Sequence, residues 1–165
     1  MDTQKMKRTN LFRTVILLSL SALTFHSCKT DDFLDWKARN QLVLEQMKNE
    51  PGYNTTPSGL VYRILEDDFP TEAKPNDDSV IRCDVCDGWL INGFHFQRGS
   101  LSYSVSQLIP GFQEGIKLIH AYGTIELYIP YDLGYGEEGS GTEGTSSFIP
   151  PYSTLHFYIH LASVN

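Results

Sequence analysis

The chain holds only three cysteines, Cys28, Cys83 and Cys86, among 165 residues. No second Cys-x-x-Cys pair exists, so a zinc site built from two such pairs is excluded. Positive charge is also scarce. Thirteen Lys and Arg stand against twenty Asp and Glu, for a net charge of −7. An acidic chain of this kind is a poor partner for nucleic acid, whose binding depends on neutralising phosphates. No apolar run reaches the ~20 residues that a membrane-spanning helix needs; "TVILLSLSALTF", residues 14–25, stops well short. There is no internal repeat, and the glycines cluster late without a period, which points to turns and loops.

What is present begins with an export pattern. Lys5, Lys7, Arg8 and Arg13 precede the apolar run, the n-region and h-region of a secretory signal. His26-Ser27-Cys28 then sets a small residue directly before a cysteine. This resembles a lipoprotein signal, in which Cys28 becomes the lipid-bearing first residue; a plain signal peptide cut nearby is the alternative. Loss of residues 1–27 removes four basic residues and the acidic Asp2, moving the charge from −7 to about −10. Asp31-Asp32 after the cysteine resembles a short surface-export signal. The expected organisation is a signal peptide at 1–27, a lipid-anchor tether with an N-terminal helix at 28–56, and a folded domain at 57–165.

Asp31 or Asp32 is placed to cap a helix through "DFLDWKARNQLVLEQMKN", with Leu34, Ala38 and Leu42 on one face and Trp36 and Val43 beside it. Pro51-Gly52 ends it. A stalk is the simplest reading; a dimer contact or a lid on the next domain are the others. From Leu60 the period changes to two. "LVYRIL" (60–65) is β-rich, and "SVIRCDVC" (79–86) places Ile81, Cys83 and Val85 on one side. "TIELYI" (124–129) buries Ile125, Leu127 and Ile129 and leaves Thr124, Glu126 and Tyr128 wet. "TLHFYIHL" (154–161) buries Leu155, Phe157, Ile159 and Leu161. Such strands form an antiparallel sheet with one buried face. A single short helix, residues 111–119, lies among them, with Phe112, Ile116 and Ile119 on one side. The fold class is therefore α+β: an antiparallel sheet wrapped around one short helix, with an N-terminal helix before it.

Four blocks then occur in order: "GWLINGFHF" (88–96), "QLIPGFQEGI" (107–116), "IPYDLGYG" (129–136) and "FIPPYSTLHF" (148–157). Together they resemble the FKBP-type peptidyl-prolyl cis-trans isomerases, over residues 60–164. The resemblance implies rotation about X-Pro amides, whose barrier of ~18–20 kcal/mol comes from amide resonance. No metal, nucleophile or cofactor is needed, and the partners are proline-containing polypeptides. It further implies a bowl of Phe96, Tyr103, Leu108, Ile109, Phe112, Tyr135, Ile149 and Phe157, with Phe148 beside it. Phe112 would be the floor, the Ile109 N–H would hold the substrate carbonyl, and the Tyr135 hydroxyl would bond at the rim. The glycine-rich loop at 136–148 would overhang the pocket. Two positions depart from the family pattern: Cys86 replaces a usual Tyr, and Gln97 a usual Asp. A non-catalytic module that binds Pro-containing segments or a protein partner is therefore kept as the alternative.

Cys83 and Cys86 also spell a Cys-x-x-Cys motif. Residues i and i+3 of a regular strand point to opposite faces, so two buried or half-buried thiols are expected in place of a redox pair. His156 and His160, at i and i+4, share the outer face of the last strand, read as solvated. His120 is placed at the end of the short helix, where positive charge suits the dipole, and Glu114 is given a structural role. The export signal places the chain in the envelope of a Gram-negative bacterium, as an outer-membrane lipoprotein held by the lipid on Cys28.

Overall fold

The computed structural model describes residues 28–165, with side chains from Phe33 on; the expected signal peptide lies outside them. The elements in order are α1 (Cys28–Lys48), β1 (Asn54–Thr55), β2 (Val61–Glu66), β3 (Val80–Leu90), β4 (His95–Gln97), β5 (Leu101–Ser104), α2 (Pro110–Ile116), β6 (Thr124–Ile129) and β7 (Leu155–Val164). Single 3-10 turns at Val105–Gln107 and Tyr131–Leu133 flank α2 and β6. Residues Asp35–Asn165 form one compact unit. Of the unit ending at Leu34, the described part is the opening of α1.

The backbone is already helical at Cys28, so Asp31 and Asp32 lie inside α1 and do not take an N-cap position. The docked face also differs from the expected stripe. Asn40 and Leu44 are buried, Trp36, Val43 and Met47 are half-buried, and Leu42 is 69% exposed. The cause is polar. Trp36 Nε1 donates to Ser153 Oγ at 3.0 Å, and Asn40 Oδ1 accepts the Thr154 N–H at 2.7 Å. These bonds turn the helix by their own geometry, against the weak apolar stripe. A helix laid on the domain accounts for these contacts better than a free stalk.

The strands make one seven-stranded antiparallel sheet in the order β1-β2-β6-β7-β3-β4, with β5 also paired to β3. Along β7 the alternation holds as expected: Leu155, Phe157, Ile159 and Leu161 are buried. Along β3 it slips. Ile81 and Cys83 point inward, Asp84 is exposed, Val85 is only half-buried, and Cys86 and Leu90 point inward again. The ladder to β7 jumps here, pairing Cys83 with Leu161 but Val85 with His160. The extra residue is a β-bulge, which reverses the phase of the strand beyond it. It corrects two expectations: Val85 does not share the inner face with Ile81 and Cys83, and Cys83 and Cys86 do share it.

The helix α2 lies against β6 through two glycines. A Cβ on Gly115 would come within 2.5 Å of Leu127 Cδ1, and one on Gly111 would overlap Ile129 Cγ2. With both glycines bare, the helix backbone settles onto the strand and turns Phe112 and Ile116 into the core. Regular helix ends at Ile116, three residues earlier than expected, although Ile119 is still fully buried. Pro110 is its first residue, where a missing N–H is harmless.

Candidate functional site

The core cluster gathers Cys86, Phe112, Ile149 and Phe157, with Phe96, Leu108 and Ile109 partly buried against it. These residues come from five separate segments. Phe157 is the hub: Phe96 meets its ring edge-to-face at 5.4 Å, and Phe112 does the same at 5.3 Å. Both distances fall in the favourable range for T-shaped aromatic pairs. Room for the Phe96 and Phe157 rings depends on Gly88 of β3. A Cβ there would lie 2.8 Å from Phe96 Cζ and 2.9 Å from Phe157 Cε1.

Next to these rings the backbone turns into α2. The Ile109 carbonyl accepts the N–H groups of Phe112 and Gln113, both at 3.0 Å. Gln113 Nε2 reaches back to the Leu108 carbonyl at 2.6 Å. The Ile109 N–H has no hydrogen-bond partner among the described residues.

Other expected residues sit apart from the cluster. Tyr103 is 53% exposed. Gln97 is half-buried, and its amide reaches only the Arg98 carbonyl at 3.5 Å. Phe148 is half-buried at the loop end. Tyr135 is 38% exposed, and partial burial raises its hydroxyl above the usual tyrosine range. The loop between Tyr135 and Ile149 is pinned at its base. Ser140 and Ile149 exchange N–H···O=C bonds at 2.9 and 2.8 Å. Gly139 is needed there: its φ is +69°, and a Cβ would collide with the Ile149 carbonyl. Two hollows of about 460 and 370 Å³ flank α1 and involve none of these residues.

Two aliphatic side chains had no role among the expected site residues. Leu101 and Leu133 pack against the cluster, Leu101 from directly opposite Cys83. Leu101 lies two residues before Tyr103, so it faces the same side of β5; that period was the available signal. Burial pushes both the Cys83 and Cys86 thiols up to about 12. Thiolates are the reactive form, so this pair is poorly suited to redox work, and both are free thiols.

The outer face of β6 is not wet, as its alternation suggested. Glu126 is 9% exposed and accepts three hydrogen bonds of 2.7 Å, from Tyr53 Oη, Arg63 Nη2 and His156 Nε2. Burial alone would raise this carboxyl, but bonds from His156, Tyr53 and Arg63 outweigh it and hold it at about 2. The His156 ring also stacks on Tyr128 at 4.3 Å, so it is held by protein, whereas His160 pairs with the exposed Asp84 at 2.5 Å. His120 lies past the end of α2 and is tied to Asp67, through its N–H at 2.7 Å and its ring at 3.0 Å. Glu114 accepts from Ser58 Oγ at 2.7 Å, a structural contact.

The profile of the FKBP-type peptidyl-prolyl cis-trans isomerases matches residues 71–162. The outer membrane protein MIP of Legionella longbeachae is 37% identical over 133 residues, covering 78% of this chain and 54% of that protein. The FKBP-type isomerase FkpA of Escherichia coli K12 is 36% identical over 138 residues, covering 81% and 48%. The chain thus spans about half the length of the curated relatives it matches. The crystal structure of FkpA from Escherichia coli superposes with a TM-score of 0.72 at 31% identity, over 100% of this chain and 74% of that one. A peptidyl-prolyl isomerase structure from Pseudomonas syringae gives 0.68 at 23% identity, over 85% and 98%, and shares the fold. An antiparallel sheet closed over a short helix, three phenylalanines meeting at Phe157, and a family match through most of the strands agree: this chain belongs to the FKBP-type peptidyl-prolyl cis-trans isomerase family.

Proposed function

We propose that the chain accelerates cis–trans isomerisation at X-Pro bonds of polypeptides in a bacterial cell envelope. The observation that carries this is the meeting of Phe96, Phe112 and Phe157 beside the unpartnered Ile109 N–H. An apolar aromatic seat takes the prolyl ring and strips water from its amide. The planar amide is the more charge-separated form, so it loses more from that desolvation than the twisted one. An N–H that holds the carbonyl beside the seat fixes the amide while its nitrogen side rotates. Binding is then stronger at the transition state than in either ground state, which is what acceleration requires. Ile109 supplies the N–H, Phe112 the floor, Phe96, Phe157, Leu108 and Ile149 the walls, and Tyr135, Tyr103 and Phe148 the rim.

The export reading belongs to the same proposal. Residues 1–27 act as signal peptide and Cys28 carries the lipid, which places the domain in the envelope of a Gram-negative bacterium. The relatives support this setting, since one is named an outer membrane protein and comes from such a bacterium. The folded isomerase domain follows the helix and linker, from residue 57 on.

Cys86 and Gln97 favour a second reading, binding without turnover. Cys86 is fully buried and offers no hydroxyl, and Gln97 supplies no acid at the rim. A refolding assay limited by proline isomerisation separates the two, because the uncatalysed phase takes tens of seconds. Micromolar protein shortens that phase if the site turns over. If the phase is unchanged while a proline peptide still binds, the module binds only.

A further inference from the structure

We propose that α1 is a positioning element for the proline site, with Asn40 as its main contact. This rests on the isomerase reading of the site. Asn40 is 1% exposed, although it lies on a helix whose neighbouring turns are largely open. Its Oδ1 accepts the Thr154 N–H at 2.7 Å, its Nδ2 donates to the Trp36 carbonyl at 2.8 Å, and its own carbonyl accepts from Thr154 Oγ1 at 3.3 Å. The Asn40 side-chain oxygen and backbone carbonyl are thereby both spent on Thr154, in one segment, while Nδ2 is held within the helix.

That segment is residues 150–154, which leads directly from Ile149 of the site to β7. Trp36 holds the next residue: its Nε1 donates to Ser153 Oγ, which in turn donates to the Pro150 carbonyl at 2.6 Å. Lys37 lies over two rings, with Nζ 4.2 Å from the centroid of Tyr152 and 5.3 Å from that of Tyr131. Tyr152 has φ of +61°, a left-handed conformation that a bulky residue keeps only when its surroundings impose it. Its N–H donates to the Gly136 carbonyl at 3.0 Å, and the Gly136 N–H donates to the Tyr131 carbonyl at 2.8 Å. Gly136 directly follows Tyr135. Three residues of α1 thus hold, from behind, both strands of chain that present Tyr135 and Ile149. Lys37 and Asn40 lie outside the core cluster around Phe157, and Trp36 packs against that cluster without sharing a ring contact with Phe157, so the three act through the loop they hold.

The test uses the full chain, with Asn40→Leu to remove the loop bond at similar size, Asn40→Asp to keep an acceptor for the Thr154 N–H, and the exposed Leu42→Ala as control. Activity is measured on a short X-Pro peptide per folded molecule, at a temperature where melting curves show every variant fully folded. Amide hydrogen exchange at Ser140, Ile149 and Tyr152 is read alongside. The expected result for Asn40→Leu is a fall of about tenfold in kcat/KM, carried largely by KM, with faster exchange at those three amides. Asn40→Asp recovers most of both, and Leu42→Ala matches the parent. Unchanged exchange and unchanged kcat/KM in Asn40→Leu would overturn the proposal. A parent chain without isomerase activity would sink the isomerase reading instead, and the exchange pattern would still decide whether α1 fixes the loop.

Discussion

Replacing Gly88 by alanine tests the geometry of the site with a single methyl group. The added Cβ would stand 2.8 Å from Phe96 Cζ and 2.9 Å from Phe157 Cε1. Carbon atoms rest at about 3.5–4.0 Å, so each ring must yield relative to the new Cβ by roughly 0.6–1.2 Å. Phe96 is half-buried and has some freedom to swing outward. Phe157 is 5% exposed and is braced by the Phe112 ring, so it has little. Overpacking of this kind costs about 1–3 kcal/mol. Because the displaced rings are two walls of the proposed prolyl seat, the effect on activity should exceed the effect on stability. We expect denaturant unfolding to show a loss within that range, and isomerase activity of the folded variant to fall by about tenfold. A Gly88→Ala chain with parental midpoint and parental activity would show that the rings are not packed as described. Lower stability with unchanged activity would place the site elsewhere.

Other expectations follow from the buried polar groups and the thiols. The Glu126 carboxyl is depressed from 4.5 to about 2 in the fold. Its contribution is therefore complete above pH 5 and is lost as the pH falls toward 2. The displacement sets an upper bound of roughly 3 kcal/mol; the Arg63 side chain that pairs with it is 40% exposed and so partly screened, and about 1–2 kcal/mol is expected. Urea unfolding of Glu126→Gln between pH 5 and 3 should show a shallower acid loss than the parent, and parallel profiles would refute this assignment. In a Cys28→Ser chain, a thiol reagent at pH 8 should leave Cys83 and Cys86 unmodified while the protein is folded and modify both in urea. Rapid labelling of the folded chain would contradict their burial.

Much of the fold was legible because it rests on local alternation. The pattern of β7 and the amphipathic face from Phe112 to Ile116 follow from residue spacing alone, and so does the antiparallel class. What was not legible depends on partners distant in sequence. The phase slip at Asp84 is set by the ladder with Leu161 and His160, and no residue near Asp84 announces it. The docked face of α1 is chosen by Ser153 and Thr154, more than a hundred residues away. A tryptophan and an asparagine therefore face inward while Leu42 faces out. Glu126 looked like a solvated position because the Tyr53 and Arg63 that cover it come from a linker and from β2, more than sixty residues earlier in the chain.

The site divides in the same way. Phe96, Phe112, Ile149 and Phe157 stand in the ordered blocks, and their side chains gather in one core cluster. Tyr103 matched by order alone; the side chain that packs from that strand is Leu101, which lies opposite Cys83 and joins the cluster. The support of Tyr135 and Ile149 by α1 could not be read, since the helix and the loop share no sequence pattern.

The central claim is that this apolar seat speeds rotation about a prolyl amide. Exchange NMR on a short peptide with one Leu-Pro bond measures that rotation without any folding reaction. Micromolar protein should raise the cis–trans exchange rate well above its uncatalysed value, and Phe112→Leu, which keeps an apolar side chain but removes the aromatic floor, should abolish most of the increase. An exchange rate that does not move when folded parent protein is added would contradict the account.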